Sequence, residues 1–310
     1  MTGAAASVLD EIVAAALLPE RDRRGHKGTF GRVVAVAGSL DYAGAALMAG
    51  AAAARTGSGL VTLCVPASLQ PVIAGRVPEL ITHGLAETAP FEIDAVGAAA
   101  DIAEQAQDAL LVGPGLAATR ASFRLVAALL RHDGVPAVVD AGGLSALADS
   151  PGWWSRLARP LVVTPHPGEF ARLGRQAGAS DAERHAAAVG AAADWGVVVV
   201  LKGARTVIAA PDGRELVADF EVPALGTGGS GDVLSGVIVS LVGQGLDPFE
   251  AAALGVYLHA RAGADISAQL GDAGLMATDL LPAIPRVRHH LASVRERSRH
   301  LGFHAPGGEL

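Results

Sequence analysis

The sequence predicts an α/β domain built on a central, mostly parallel sheet with helices on both faces. Short β-branched runs alternate with Ala-rich helical stretches, the order expected of strands joined by crossover helices. Many of the runs end in Gly, Asp or Thr-Pro, the residues that turn a chain out of a strand toward a ligand site at the sheet's edge. Composition permits the large core such a fold needs, since 51% of the 310 residues are hydrophobic and only 18% charged, with a mean hydropathy of +0.38.

In chain order, strands are predicted at 33–37, 60–65, 109–112, 137–140, 161–164 and 197–201. A hairpin follows at 205–210 and 215–218, turning at Pro211-Asp212-Gly213. From Ser230 the pattern becomes helical to about residue 293, and the segment 295–310 mixes charge, Gly and Pro as a frayed tail would. With no repeat, long linker or break in composition, one domain is expected over 20–293, with an extension at 1–19 and a tail at 294–310. The small residues of 44–54 suit close helix packing between subunits, and a homo-oligomer is expected, a tetramer being one such form.

A net charge of −7 and a pI near 5.8 argue against a nucleic-acid surface, so attraction for an anionic ligand must be local. The longest weakly polar stretch, 43–54, falls short of the roughly 18 residues a membrane helix needs. Asp10 and Glu11 stand where a signal peptide would carry positive charge, so a soluble, cytoplasmic protein is expected. The single cysteine, Cys64, lies in an apolar strand and reads as core, which excludes an intrachain disulfide or a Cys-based metal site.

The most informative segment is Thr227-Gly228-Gly229-Ser230-Gly231-Asp232, which runs directly into a helix. Glycines at 228, 229 and 231 let consecutive N–H groups converge on a phosphate, and the helix adds its positive end, giving an anion hole at Gly229, Ser230 and Gly231. A carboxylate beside such a cradle repels the ligand unless it has its own task, and the natural one for Asp232 is to deprotonate a hydroxyl that attacks the phosphate. A Gly-rich turn followed by an Asp helix cap would use the same letters.

Four further segments follow strands or glycines. Thr164-Pro165-His166-Pro167-Gly168-Glu169 is a stiff turn that presents His166 as a donor to phosphate or amide, and Glu169 as an organiser of hydrated Mg²⁺ or as a first-turn helix carboxylate. Lys202-Gly203-Ala204-Arg205-Thr206 follows a four-valine run and offers an ammonium and close backbone approach to a nucleotide. The loop Arg24-Gly25-His26-Lys27-Gly28-Thr29-Phe30-Gly31 is basic and suited to an anionic substrate, but with Gly38-Ser39 beyond it the spacing does not match a dinucleotide fingerprint. Gly113-Pro114-Gly115-Leu116 offers another close backbone approach, while His289 and His290 read as a solvated helix end.

Taken together over about residues 20–290, His26-Lys27-Gly28, Gly38-Ser39, Tyr42-Ala43-Gly44-Ala45, Gly113-Pro114-Gly115-Leu116, Thr164 to Glu169, Leu201-Lys202-Gly203-Ala204 and Thr227 to Asp232 closely resemble the motifs of the ADP-dependent NAD(P)H-hydrate dehydratases, a branch of the ribokinase-like superfamily. The resemblance implies a ribokinase-like single domain without a separate lid. It also implies repair of nicotinamide cofactor hydrated at C6, with ADP consumed as co-substrate in the presence of Mg²⁺. Carried over by motif, Ala45, Gly115, His166 and Asp232 would contact the hydrated dinucleotide, and Lys202, Gly203, Ala204, Arg205, Thr206 and Gly231 the adenine nucleotide. Asp232 would be the catalytic base, and Glu169 would reach the metal through water. Many members carry a fused epimerase, for which there is no room before residue 26, so a separate epimerase is expected to act on the same metabolite.

Three positions depart from the family pattern. Asp140-Ala141-Gly142-Gly143-Leu144-Ser145 stands where members read Asp-Ala-Asp-Ala/Gly-Leu-Asn, Val222 replaces an Asn, and Ser230 replaces a Thr while keeping the N–H and hydroxyl. A ribokinase-like small-molecule kinase would share the Gly-rich motif and Asp232 but has no reason for His26-Lys27-Gly28 or for Thr164 to Glu169 in this form. A non-catalytic nucleotide-binding protein is the reading from another class.

Overall fold

The computed structural model describes residues 7–300. Its strands are β1 (Arg32–Val36), β2 (Leu60–Pro66), β3 (Ile81–Leu85), β4 (Glu87–Ala89), β5 (Glu92–Ile93), β6 (Ala109–Val112), β7 (Ala137–Val139), β8 (Leu161–Val163), β9 (Val198–Leu201), β10 (Arg205–Ala209) and β11 (Glu215–Asp219). Nine of them form one sheet in the order β11-β10-β9-β8-β7-β6-β1-β2-β3, while β4 and β5 make a small ribbon. Pairing is parallel from β3 across to β9, and β10 and β11 add antiparallel as the expected hairpin. Strand β3 was not legible in the sequence: Ile81-Thr82-His83-Gly84-Leu85 is an edge strand with only Leu85 buried, so its composition lacks the apolar run that marks the others.

Alternate residues of the parallel strands feed two cores. Val33, Ala35, Val61, Leu63, Leu111 and Val200 point to one face, and Val34, Val36, Cys64, Leu110, Val112 and Val199 to the other. Burial pushes the Cys64 thiol up to about 12, so it behaves as a small hydrophobe. The helices are α1 (Glu11–Leu17), α2 (Ala43–Thr56), α3 (Gln70–Ile73), α4 (Ala95–Glu104), α5 (Arg120–Arg131), α6 (Gly142–Ala148), α7 (Pro167–Arg172), α8 (Asp181–Trp195), α9 (Ser230–Gly243), α10 (Pro248–Leu270) and α11 (Leu280–His300). The first core collects α1–α3 and α9–α11, and the second collects α4–α8.

Four sequence expectations meet a different packing. The small face at 44–54 is used inside the chain: a Cβ on Gly236 of α9 would lie 2.2 Å from the Ala49 carbonyl oxygen, so α2 and α9 touch backbone to backbone and that face gives no support to subunit packing. The segment 8–18, set apart as an extension, adds Leu9, Ala14, Ala15 and Leu18 to the core, and Leu9 N–H donates to Val217 O at 2.9 Å. Helix α11 runs beyond residue 293, and Arg295 Nη1 donates to Leu18 O; the rest of the predicted tail, 301–310, lies outside the described residues. His290, read as part of a solvated helix end, sits within α11 and pairs with Glu11 at 2.8 Å.

No described helix is long and apolar enough to cross a membrane.

Candidate active site

In a parallel sheet the strand ends at one edge all open the same way, and ligands collect where the chain order reverses, here between β1 and β6. That edge carries Gly38-Ser39 after β1, Gly113-Pro114-Gly115 after β6, Asp140 after β7, Thr164 to Glu169 after β8 and Lys202 after β9. The backbones are in contact: Gly38 N–H donates to Pro114 O at 2.8 Å, and a Cβ on Gly113 would lie 1.9 Å from Asp140 O. The basic loop Arg24 to Gly31 is elsewhere. It precedes β1 and so lies at the opposite edge, where a Cβ on Gly31 would meet Gly243 O, at the far end of α9, at 2.3 Å. The reading of that loop as a ligand site is therefore corrected; Arg21 stacks on Phe30 and His26 caps the turn from within.

Helix α9 starts at the site. Its N-cap is Gly229, with φ 89°, and no side chain caps the first-turn N–H groups; Ser230 N–H makes a long turn bond to Thr227 O at 3.4 Å. Of the three glycines at 228, 229 and 231, only Gly229 has a positive φ. The others supply room: a Cβ on Gly228 would meet nothing within 4 Å, and one on Gly231 only Lys202 Nζ at 3.3 Å and Asp140 Oδ2 at 3.7 Å. Asp232 follows inside the first turn and does not cap the helix, which sets aside the capping alternative.

Four charged groups converge there. Lys202 Nζ donates to Asp140 Oδ1 at 2.9 Å and lies 3.7 Å from Glu169 Oε2. Burial works against the Lys202 charge, but Asp140 and Glu169 outweigh it and hold its pKa above the ordinary value. Burial, then the nearby Asp140, push Asp232 up to about 7 against the pull of Lys202, which places this carboxyl near neutrality. Glu169 is buried and partly committed: its Oε2 accepts from His166 N–H at 2.8 Å. His166 Nδ1 accepts from Gly168 N–H at 3.0 Å and Glu169 N–H at 3.3 Å, so the hydrogen-bond pattern puts a ring proton on Nε2, which lies 3.6 Å from Glu169 Oε2.

A cavity of 670 Å³ opens beside this cluster. Lys202, Gly203, Ala204, Thr206, Ser230, Gly231 and His166 line it, while Phe220, Val222, Leu225, Leu234 and Val256 make an apolar wall. Arg205 is not part of the lining, since its guanidinium pairs outward with Asp181 at 3.1 Å and Asp219 at 3.0 Å. Ala45 and Gly115 lie outside this lining and against each other, a Cβ on Gly115 falling 2.8 Å from Ala45 Cβ. They connect to the cradle through Met48, one turn along α2, whose Cε would be 2.4 Å from a Cβ on Gly229. Sequence reasoning named neither Asp140 nor His259 as a site residue. Asp140 carried a signal as the polar end of an apolar strand, and His259 as the lone histidine in the apolar run 251–260.

Among the described residues no three His, Cys, Asp or Glu side chains gather as a metal site. At Gly142, where the family pattern has an acid, a Cβ would lie 2.4 Å from Leu116 O, so a side chain does not fit this backbone.

A sequence profile described as NAD(P)H-hydrate dehydratase matches residues 33–286. A bifunctional NAD(P)H-hydrate repair enzyme of Moorella thermoacetica is 45% identical over 277 residues, covering 88% of this chain and 52% of its own length. The chain thus spans about half the length of that bifunctional relative. An ADP-dependent (S)-NAD(P)H-hydrate dehydratase of Xanthomonas campestris is 38% identical over 268 residues, covering 86% of this chain and 91% of its own. Among solved structures, the ADP/ATP-dependent NAD(P)H-hydrate dehydratase of Bacillus subtilis, co-crystallised with ATP/Mg²⁺, superposes with a TM-score of 0.80 at 33% identity, over 93% of this chain and 100% of that one.

Proposed function

The chain belongs to the NAD(P)H-hydrate dehydratase family, and on that premise we propose that it dehydrates the S epimer of C6-hydrated NADH and NADPH, consuming ADP and releasing AMP and phosphate. The observation that carries this reading is the meeting of an uncapped helix N-terminus with the Asp232 carboxyl, which titrates near neutrality. Hydroxide is a poor leaving group, and phosphorylating the C6 hydroxyl turns it into a good one.

In this reading ADP occupies the 670 Å³ cavity, its base against the apolar wall and its phosphates toward Lys202 and the N–H groups of Gly229, Ser230 and Gly231. Gly203, Ala204 and Thr206 approach it along the cavity wall, and Arg205, paired outward with Asp181 and Asp219, does not. The hydrated nicotinamide reaches Asp232 from the side of Ala45, Gly115 and His166. Asp232 takes the hydroxyl proton as the C6 oxygen bonds to the β-phosphorus of ADP and the bond to the AMP oxygen breaks. The N–H groups of the cradle hold the charge on the transferring phosphoryl group. The ring nitrogen then expels phosphate, and loss of the C5 proton restores the reduced ring. Mg²⁺ would accompany the nucleotide phosphates, where Glu169 would hold it through water and the ion would offset phosphate charge. A separate epimerase would supply the S epimer.

The test is recovery of the near-ultraviolet absorbance of reduced nicotinamide from hydrated NADH, with Mg²⁺ and ADP, ATP or no nucleotide. Recovery with free phosphate is expected with ADP. A stable phosphoester without recovered absorbance would identify a kinase, and ADP binding without turnover a binding protein.

A further inference from the structure

His259 lies in the middle of α10 and is buried. A buried imidazole needs partners, and the structure gives this one two, both on the same residue. Nε2 lies 3.0 Å from Ser230 Oγ and 3.0 Å from Ser230 O, at the first residue of α9. A carbonyl oxygen only accepts, so Nε2 must carry the ring proton. The same N–H then also faces Oγ, which must accept there. Burial lowers the His259 pKa to about 4, which keeps the ring neutral, and the Ser230 carbonyl selects the tautomer.

The consequence falls on the hydroxyl hydrogen of Ser230. It cannot point at an N–H, and among the described residues Oγ has no other hydrogen-bond partner. Ser230 and His259 both line the cavity beside Gly231. We infer that His259 is a positioning residue that turns the Ser230 hydroxyl into a donor aimed at the transferring phosphoryl group, adding a side-chain donor to the backbone N–H groups of the cradle. His259 touches no reacting atom; it acts through Ser230, and it fixes the first residue of α9 by holding the carbonyl as well. The inference rests on the proposed phosphoryl transfer.

A double-mutant cycle with His259→Ala, Ser230→Ala and the pair, plus His259→Gln, tests it in the full-length protein. Each single alanine variant is expected to lower kcat about 10²- to 10³-fold, as loss of one oxyanion donor does, with ADP affinity nearly unchanged. The double variant is expected to be little worse than either single, and His259→Gln, whose amide can donate to both oxygens, to recover part of the loss. Losses that multiply in the double variant, or a His259→Ala effect confined to thermal stability, would overturn the inference. Long-range ¹⁵N–¹H NMR of the native protein at neutral pH adds a readout that needs no turnover and no folded variant. A neutral His259 protonated at Nε2 is expected, and an imidazolium or an Nδ1–H ring overturns the assignment. If the native protein restores no hydrated NADH, the proposed function falls while this NMR result still decides how His259 holds Ser230.

Discussion

At the scale of single residues, Asp232 links structure to pH. A general base works ionised, and this carboxyl is pushed up from 3.8 to about 7, by burial first and by Asp140 next. We therefore expect kcat/KM to rise with pH through about 7 and level off above it, a limb absent if another group is the base. Asp232→Asn should lower kcat by about 10²- to 10⁴-fold while leaving ADP affinity largely intact; near-native turnover in that variant removes Asp232 from the role. The same shift has a stability consequence of opposite sense. Between 3.8 and about 7 the folded chain holds this proton and the unfolded chain does not, so the contribution of this group to stability falls as pH rises through that window. Asp232→Asn removes the burial of a charge, and thermal unfolding should show it stabilised at pH above 7, by on the order of 1–3 kcal/mol, and unchanged below pH 4. An equal Tm difference at both pH values would rule out the buried charge as the cause.

At the scale of elements, the contact of α2 with α9 aligns the cradle with the first turn of α2. Gly236 and the small residues Ala49 and Ala52 let the two backbones meet, a Cβ on Gly236 falling 2.2 Å from Ala49 O and 2.9 Å from Ala52 Cβ. Glycine in a helix interior ordinarily costs about 1 kcal/mol against alanine, so Gly→Ala should stabilise wherever space allows. At Gly190 of α8 nothing lies within 4 Å, and Gly190→Ala is expected to raise Tm slightly. At Gly236 the clash is with backbone that cannot swing aside, so Gly236→Ala is expected to cost about 1–3 kcal/mol despite better propensity. Denaturant unfolding of the two variants measures the contrast, and a stabilised Gly236→Ala would mean that the helices are further apart than described.

At the scale of the whole molecule, the chain's two described ends close on each other. Segment 8–18 packs Leu9, Ala14, Ala15 and Leu18 into the core shared by α10 and α11, Val8 bridges the edge at Val217, and Glu11 pairs with His290. Deleting residues 1–19 uncovers this surface and frees the N–H and C=O groups of Val217 at the sheet's edge. We expect a loss of roughly 2–5 kcal/mol, read as a Tm drop of several degrees, with the distant site chemistry preserved in the protein that remains folded. An unchanged Tm would restore the segment to the status of an appendage.

The strand and helix order was legible because apolar β-branched runs and Ala-rich stretches are local patterns, and burial on both faces leaves them nowhere else to go. The cradle was legible for the same reason: Gly229 to Asp232 is contiguous, and a helix start is a local event. Every meeting between elements far apart in the chain was out of the sequence's reach. Lys202 finds Asp140 from 62 positions away, and His259 finds Ser230 from 29, through strand order and helix packing that no short window contains. The basic loop at 24–31 had the right composition and the wrong edge, since residue type does not say at which end of its strand a loop lies relative to a site. The edge strand β3 escaped because half-exposure erases the hydrophobic signal. By itself the sequence determined the two-layer core, the helix start at the Gly-rich turn and the place of Asp232 in the first turn of that helix. Only the tertiary structure decided which charges surround that carboxylate, and so that it titrates near neutrality, because burial and the distance between charges are properties of the packed chain.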